Sequence, residues 1–262
     1  MTDRFINNNV IHRILSSIIL IIFALSSIYM GGNFLIFVLS TLVFIMTYEW
    51  VTISENITSI LLKCTKSLFN VIIFLLSLLT IQFSIIFFII ILILNISSKN
   101  TSKINKLFVI LGPIYLCLPF IFLYEIRNSD QGFDLILWFL FVVWSTDIFS
   151  YLCGKYFGGK KLWVSLSQNK TWSGFILGIF AGTITSLICF YIREYNILNA
   201  LSFGLVLAIF TQLGDLFESW IKRKHSIKDS GKLIPGHGGI LDRLDGFMIS
   251  SLVLYIGYKI YV

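Results

Sequence analysis

Apolar residues run along this chain in long stretches cut by short polar or glycine-rich breaks, the pattern of membrane-spanning helices rather than of half-buried soluble elements. A spanning helix needs about 20 apolar residues. Cutting at the breaks gives nine candidates, at 14–30, 34–51, 68–81, 83–96, 107–124, 133–152, 174–192, 197–216 and 244–261. The weakest cut separates the third from the fourth, because 67–96 is one apolar stretch broken only by Gln82 and Ser84.

Charge placement arbitrates that cut. With nine spans and a cytoplasmic N-terminus, all of the 20 Lys and Arg residues fall in cytoplasmic segments except Arg127, Arg193 and Lys259, as the preference of basic residues for cytoplasmic loops predicts. Merging the third and fourth spans would put the two richest loops on the side opposite to Arg4, Arg13, Lys63 and Lys66. The first span lacks a signal-peptidase-like site after it, so it reads as an uncleaved helix.

Composition agrees with this reading. Of the 262 residues 57% are hydrophobic and only 13% charged, too few charges to cover a soluble surface, where about 25% is usual. An all-α, polytopic integral membrane protein of about nine transmembrane helices follows, and secreted disulfide scaffolds, disordered chains and ordinary cytosolic enzymes are excluded. Cys64, Cys117, Cys153 and Cys189 are scattered through apolar runs without metal-ligand spacing and read as core residues. The chain reads as a single membrane-embedded domain, 1–262, with 1–124 mostly scaffold. The catalytic part is 133–262, with cytoplasmic loops at 153–173 and 219–246. The formal +7 balance invites an anionic partner.

Acidic groups inside the spans carry the first chemical signal, since a mid-bilayer charge costs at least about 2.5–3.5 kcal/mol. Asp215, Glu218, Ser219 and Lys222 share one helical face, extended backwards by Thr211 and Gln212. The plain alternative is that Lys222 only neutralises Glu218. Asp147, among Ser145, Thr146, Ser150 and Tyr151, makes a second polar band, or else is hydrogen-bonded locally. Glu49, between Tyr48 and Trp50, either acts or merely marks the membrane boundary.

The last two cytoplasmic loops carry the second signal. Gly154 to Lys161 and Ser167 to Gly174 hold Lys155, Lys160, Lys161 and Lys170 among glycines, a composition that suits phosphate or anionic lipid equally. In the final loop Lys222, Arg223, Lys224, Lys228 and Asp229 precede Pro235-Gly236-His237-Gly238-Gly239 and then Asp242-Arg243-Leu244-Asp245-Gly246. Positive-inside bias explains the lysines but neither the glycines around His237 nor two acids three residues apart. Helix capping accounts for one of those acids. Carboxylates from two helices beneath a basic, glycine-rich loop suit a hard cation bridging to substrate phosphates, and the glycines suit an anion nest.

The run Ser219, Lys222-Arg223, Lys228-Asp229, Gly231, Pro235, His237-Gly238-Gly239, Asp242-Arg243 and Asp245 resembles the signature of the phosphatidate cytidylyltransferase (CDP-diacylglycerol synthase) family. Gly214-Asp215 and Asn169-Lys170-Thr171-Trp172 are similar as well, with weaker echoes at Arg13 and Glu49-Trp50. Ser173 departs from the family, which usually has Glu there, and Gln168-Asn169 replaces a segment richer in Pro and Lys.

The resemblance implies that CTP and phosphatidate give CDP-diacylglycerol and pyrophosphate at the cytoplasmic face, with Mg2+ and a second cation nearby. It implies Asp215 and Asp242 as metal ligands. Lys222, Arg223, Lys228 and Arg243 would neutralise phosphates, with His237 as a donor or acid. Ser219, Thr171, Asp229 and Asp245 would bind substrate, Gly238 and Gly239 would approach it closely, and Lys170 and Asp147 would complete the site. It also implies a homodimer. The setting expected is a bacterial cell membrane with lipid as the only other partner and no nucleic acid. The rivals are a CTP-dependent kinase of a membrane lipid alcohol, which would release CDP, and a transporter of anionic substrates, which would spread its charges through several spans.

Overall fold

The computed structural model describes residues 18–55, 59–80, 89, 103–192, 197–231 and 238–261. Its helices are α1 Ile18–Met30, α2 Gly32–Glu55, α3 Ile60–Leu79, α4 Lys103–Arg127, α5 Gly132–Phe157, α6 Trp172–Ile192, α7 Ile197–Lys224 and α8 Leu241–Tyr261. Between α5 and α6 lies an antiparallel pair, β1 Lys161–Trp163 and β2 Ser167–Thr171.

Six helices among the described residues are long and apolar enough to cross a membrane: Gly32–Glu55, Ile60–Leu79, Leu107–Arg127, Gly132–Phe157, Trp172–Cys189 and Leu198–Lys224. The protein is an all-α membrane protein apart from the short hairpin. The expected fourth span, 83–96, lies outside the described residues except for Ile89, and so does the start of the first. The expected ninth is present as α8, but Asp245 and Lys259, with its tyrosines and glycines, dilute its apolar character and it is not among the six.

Two compact units divide the chain: residues 1–124 with 227–243, and residues 125–226 with 244–262. Assignment of 227–243 to the first unit was not foreseen.

In the first unit α2 packs on α3. Asn70 Nδ2 donates to Thr47 Oγ1 at 3.1 Å, and Trp50 Nε1 donates to the Phe108 carbonyl of α4 at 3.1 Å. Trp50 lies flush on Gly112, where a Cβ would come within 2.5 Å of Nε1.

In the second unit α5 packs on α6, for a reason visible in the residue spacing. Gly174, Gly178 and Gly182 recur every four residues on one face of α6, the small-residue stripe that lets membrane helices approach. A Cβ on Gly174 would fall 2.5 Å from the Ser150 carbonyl oxygen, and on Gly178 2.8 Å from Ser150 Cβ. On another face of α6, Ile176, Phe180, Ile184 and Ile188 are exposed at the same spacing, an apolar stripe suited to lipid. At the far end of this unit Lys259 pairs with Glu125 at 2.7 Å. That contact gives one of the three exceptional basic residues a local partner.

Candidate functional site

The basic loop after α5 is a hairpin rather than an irregular loop. Gly158 and Gly159 have φ of 58° and 94°, left-handed values that turn the chain out of α5 at little cost only for glycine. Lys161 then pairs with Thr171 across the ladder. Thr171, buried, accepts the Gly174 N–H at 3.2 Å and meets Ser173 Oγ at 2.9 Å. It caps α6, a structural role for a residue of which a substrate contact was expected.

The hairpin carries Lys170 to α7. Its Nζ lies 2.5 Å from Asp215 Oδ2, with side chains 21% and 32% exposed. Ser219 Oγ is 3.5 Å from Asp215 Oδ1, one turn along. Lys222 pairs with the buried Glu218 at 3.1 Å, which is the plain alternative for those two residues. Arg223 Nε donates to the Leu166 carbonyl at 3.1 Å and so holds the hairpin turn from α7.

The negative charges of Asp215 and Asp147 both act on Asp245, opposed by Lys222. These three carboxylates come from three helices of this unit, α5, α7 and α8. Helices α7 and α8 approach closely: a Cβ on Gly214 would sit 2.6 Å from the Asp245 carbonyl oxygen, and one on Gly246 2.8 Å from Thr211 Cγ2. The Gly246 N–H donates to Asp245 Oδ1 at 2.7 Å. Just beyond α7, His225 has its pKa lowered by partial burial and then by the neighbouring Lys224.

Asp242 belongs to the other unit, and its carboxylate is engaged there. It accepts the Ser230 N–H at 2.9 Å and the Gly239 N–H at 2.9 Å. Gly238, with φ of 86°, makes the turn that allows this. Glu49, left open by the sequence, is buried and accepts from Ser230 Oγ at 3.1 Å, Ile240 N–H at 3.0 Å and Leu241 N–H at 2.9 Å. Hydrogen bonds to a charged group contribute roughly 1.5–3 kcal/mol each and offset part of the cost of burying the carboxylate. The sequence signals for it were an acid inside an apolar run and a weak family echo at Glu49-Trp50. Lys228, Asp229 and Arg243 are exposed, and His237 lies outside the described residues.

Residues 11–261 match the profile of the Cytidylyltransferase family. The chain belongs to that family. Similar curated proteins are the phosphatidate cytidylyltransferase of Staphylococcus aureus strain COL, 42% identical over 170 residues, 64% of this chain and 65% of that one. The Bacillus subtilis strain 168 phosphatidate cytidylyltransferase is 42% identical over 161 residues, 60% of each chain. That of Rickettsia bellii strain RML369-C is 39% identical over 164 residues, 60% of this chain and 71% of the other. This cytidylyltransferase-family chain thus spans less than two thirds of the length of the first two.

Proposed function

We propose that this protein transfers the cytidylyl group of CTP to phosphatidate, giving CDP-diacylglycerol and pyrophosphate for phospholipid synthesis. The observation that carries the reading is the Lys170–Asp215 pair on the polar face of α7, with the charges of Asp215, Asp147 and Lys222 all acting on Asp245, on membrane helices of a cytidylyltransferase-family chain. Such a cluster costs free energy through mutual repulsion unless cations come to it. Lipid and nucleotide substrates both require charge neutralisation when they meet.

In the reaction a phosphate oxygen of phosphatidate attacks the α-phosphorus of CTP, and the bond from that phosphorus to the bridging oxygen of the β-phosphate breaks. Pyrophosphate leaves with the electron pair. Phosphoryl-type transfer is governed mostly by positioning and charge stabilisation. Lys170 and Lys222 supply positive charge beside the carboxylates. Lys228 and Arg243, exposed on the signature loop, supply it to nucleotide phosphates, with His237 as a further donor.

The donor set fits Mg2+. Carboxylates and the Ser219 hydroxyl are hard oxygen ligands, and Mg2+ usually takes one or two carboxylates plus phosphate oxygens and water. Among the described residues no group of three His, Cys, Asp or Glu side chains is arranged to hold an ion unaided. Asp215 would hold the ion, with Asp245 and Asp147 as further carboxylates whose charges interact with one another. Asp242, the other ligand the resemblance implies, also accepts the Ser230 and Gly239 N–H groups. When bound, Mg2+ adds positive charge at the transferring phosphates.

The proposed setting is a bacterial inner membrane, with nine spans, the N-terminus and the site on the cytoplasmic side, and a homodimer as the working form. Purified protein in detergent with dioleoyl phosphatidate, CTP labelled at the α-phosphate and Mg2+ should form labelled lipid and pyrophosphate. Release of CDP with phosphorylation of an isoprenoid alcohol, and no labelled product from phosphatidate, would overturn the reading in favour of the kinase.

A further inference from the structure

A glutamate that only marks the membrane boundary would reach toward water. Glu49 does the reverse: it is 5% exposed, and its donors are Ser230, Ile240 and Leu241, some 180 to 190 positions along the chain. Oε1 takes Ile240 N–H, while Oε2 takes Leu241 N–H and the Ser230 hydroxyl. One carboxylate therefore ties the start of α8 to Ser230.

Asp242 duplicates that grip from the loop's own side. Ser230 is held twice, by its N–H on Asp242 and its hydroxyl on Glu49. Gly239 is held by its N–H on Asp242. The glycines flanking this knot have a reason that is independent of phosphate. A Cβ on Gly239 would fall 2.0 Å from Ser230 Oγ and 2.5 Å from Glu49 Oε2, and one on Gly231 2.7 Å from Glu49 Oε1. Both positions must lack a side chain for the carboxylate to reach its donors.

We infer that Glu49 is a positioning residue for the signature loop, fixing Ser230 and Ile240-Leu241 so that the neighbouring Lys228, Gly238, Gly239 and Arg243 are presented in one geometry. The inference rests on the cytidylyltransferase reading for its effect on catalysis, but the anchoring stands apart from it. Glu49 touches no reacting atom. It acts through Ser230 and the first turn of α8, and it takes part of the first 124 residues out of the scaffold.

The test uses the full chain in detergent with Mg2+. Parent, Glu49→Gln, Ser230→Ala and the double variant are compared for kcat and for KM of CTP and of phosphatidate, with backbone hydrogen exchange over 228–243. Gln keeps the shape but turns an NH2 toward donors. Misplacement by about 1 Å can cost about 100-fold in rate, so Glu49→Gln should lose about that factor in kcat/KM for CTP while KM for phosphatidate stays within about twofold. Ser230→Ala should lose about tenfold. Because both cut one linkage, the double variant should be little worse than Glu49→Gln alone. Amides of Ile240 and Leu241 should exchange at least about tenfold faster in Glu49→Gln, whatever the activity.

Activity of Glu49→Gln within threefold of the parent, or losses that multiply in the double variant, would overturn the proposal. So would unchanged exchange at Ile240 and Leu241. Should Glu49→Gln not accumulate in folded form, Ser230→Ala decides by the same criteria, with threefold as the limit. A parent inactive with CTP and phosphatidate refutes the functional reading instead, and the exchange data still decide the anchoring.

Discussion

Lys170 Nζ lies 2.5 Å from Asp215 Oδ2, and this pair joins the hairpin after α5 to the polar face of α7. Both side chains keep some contact with water, so solvent screening leaves the pair with about 1 kcal/mol of stability or less. Its weight falls on charge placement. Lys170→Gln should lower kcat/KM at least about tenfold while shifting the unfolding midpoint by no more than about 5 °C. A large loss of stability with activity retained would make the pair structural.

Asp245 sits under the negative charge of Asp215 and Asp147, an arrangement that favours function over stability. Asp245→Asn and Asp215→Asn should each reduce turnover by more than about 100-fold, with thermal stability equal to or slightly above the parent. The check is paired kinetics and thermal unfolding. Turnover within tenfold of the parent would remove that residue from the proposed metal site.

Removal of divalent cations follows from the same cluster. Excess EDTA should abolish product formation, and Mg2+ added back should restore it. In Asp215→Asn the Mg2+ concentration for half-maximal rate should rise at least about tenfold over the parent wherever residual activity permits measurement. Full activity in EDTA would exclude a divalent cation from the reaction.

The glycine stripe on α6 makes a purely structural prediction. A Cβ on Gly182 would come 2.2 Å from Thr146 Oγ1 and 2.9 Å from Ala208 Cβ, so Gly182→Val overpacks a closed contact and should destabilise by about 1–3 kcal/mol. Substitution of exposed Phe180 by Leu, two residues away and outside that contact, should change stability by less than about 0.5 kcal/mol. Thermal unfolding in one detergent compares the two. Equal effects would mean that the stripe is not the packing face.

Much of the arrangement was legible in residue order. Long apolar runs predicted spanning helices, and six described helices meet the length and hydropathy that this requires. The shared face of Asp215, Ser219 and Lys222 came from helical periodicity, and all three lie on α7. The hairpin was harder to read, because Lys161 to Trp163 and Ser167 to Thr171 are short, polar and without strict alternation. Its order comes from Arg223 on the Leu166 carbonyl and from Lys170 on Asp215, contacts that no local pattern announces.

Asp242 and Asp245 show where sequence stops. Lying three residues apart on one helix, they are not ranked by spacing; only the resemblance set Asp242 as a metal ligand and Asp245 as a substrate contact. Local spacing decides which face of a helix a residue occupies, and hydrophobicity decides which stretches leave water. By itself the sequence therefore determined the spanning helices, the basic loops between them and the family signature. Tertiary structure decided the partners: Asp242 on Ser230 and Gly239, Asp245 under the field of Asp215 and Asp147, and Glu49 on Ile240 and Leu241. Those pairings depend on helices closing over glycines such as Gly214 and Gly246, a matter of three-dimensional approach between segments that periodicity along one segment does not encode.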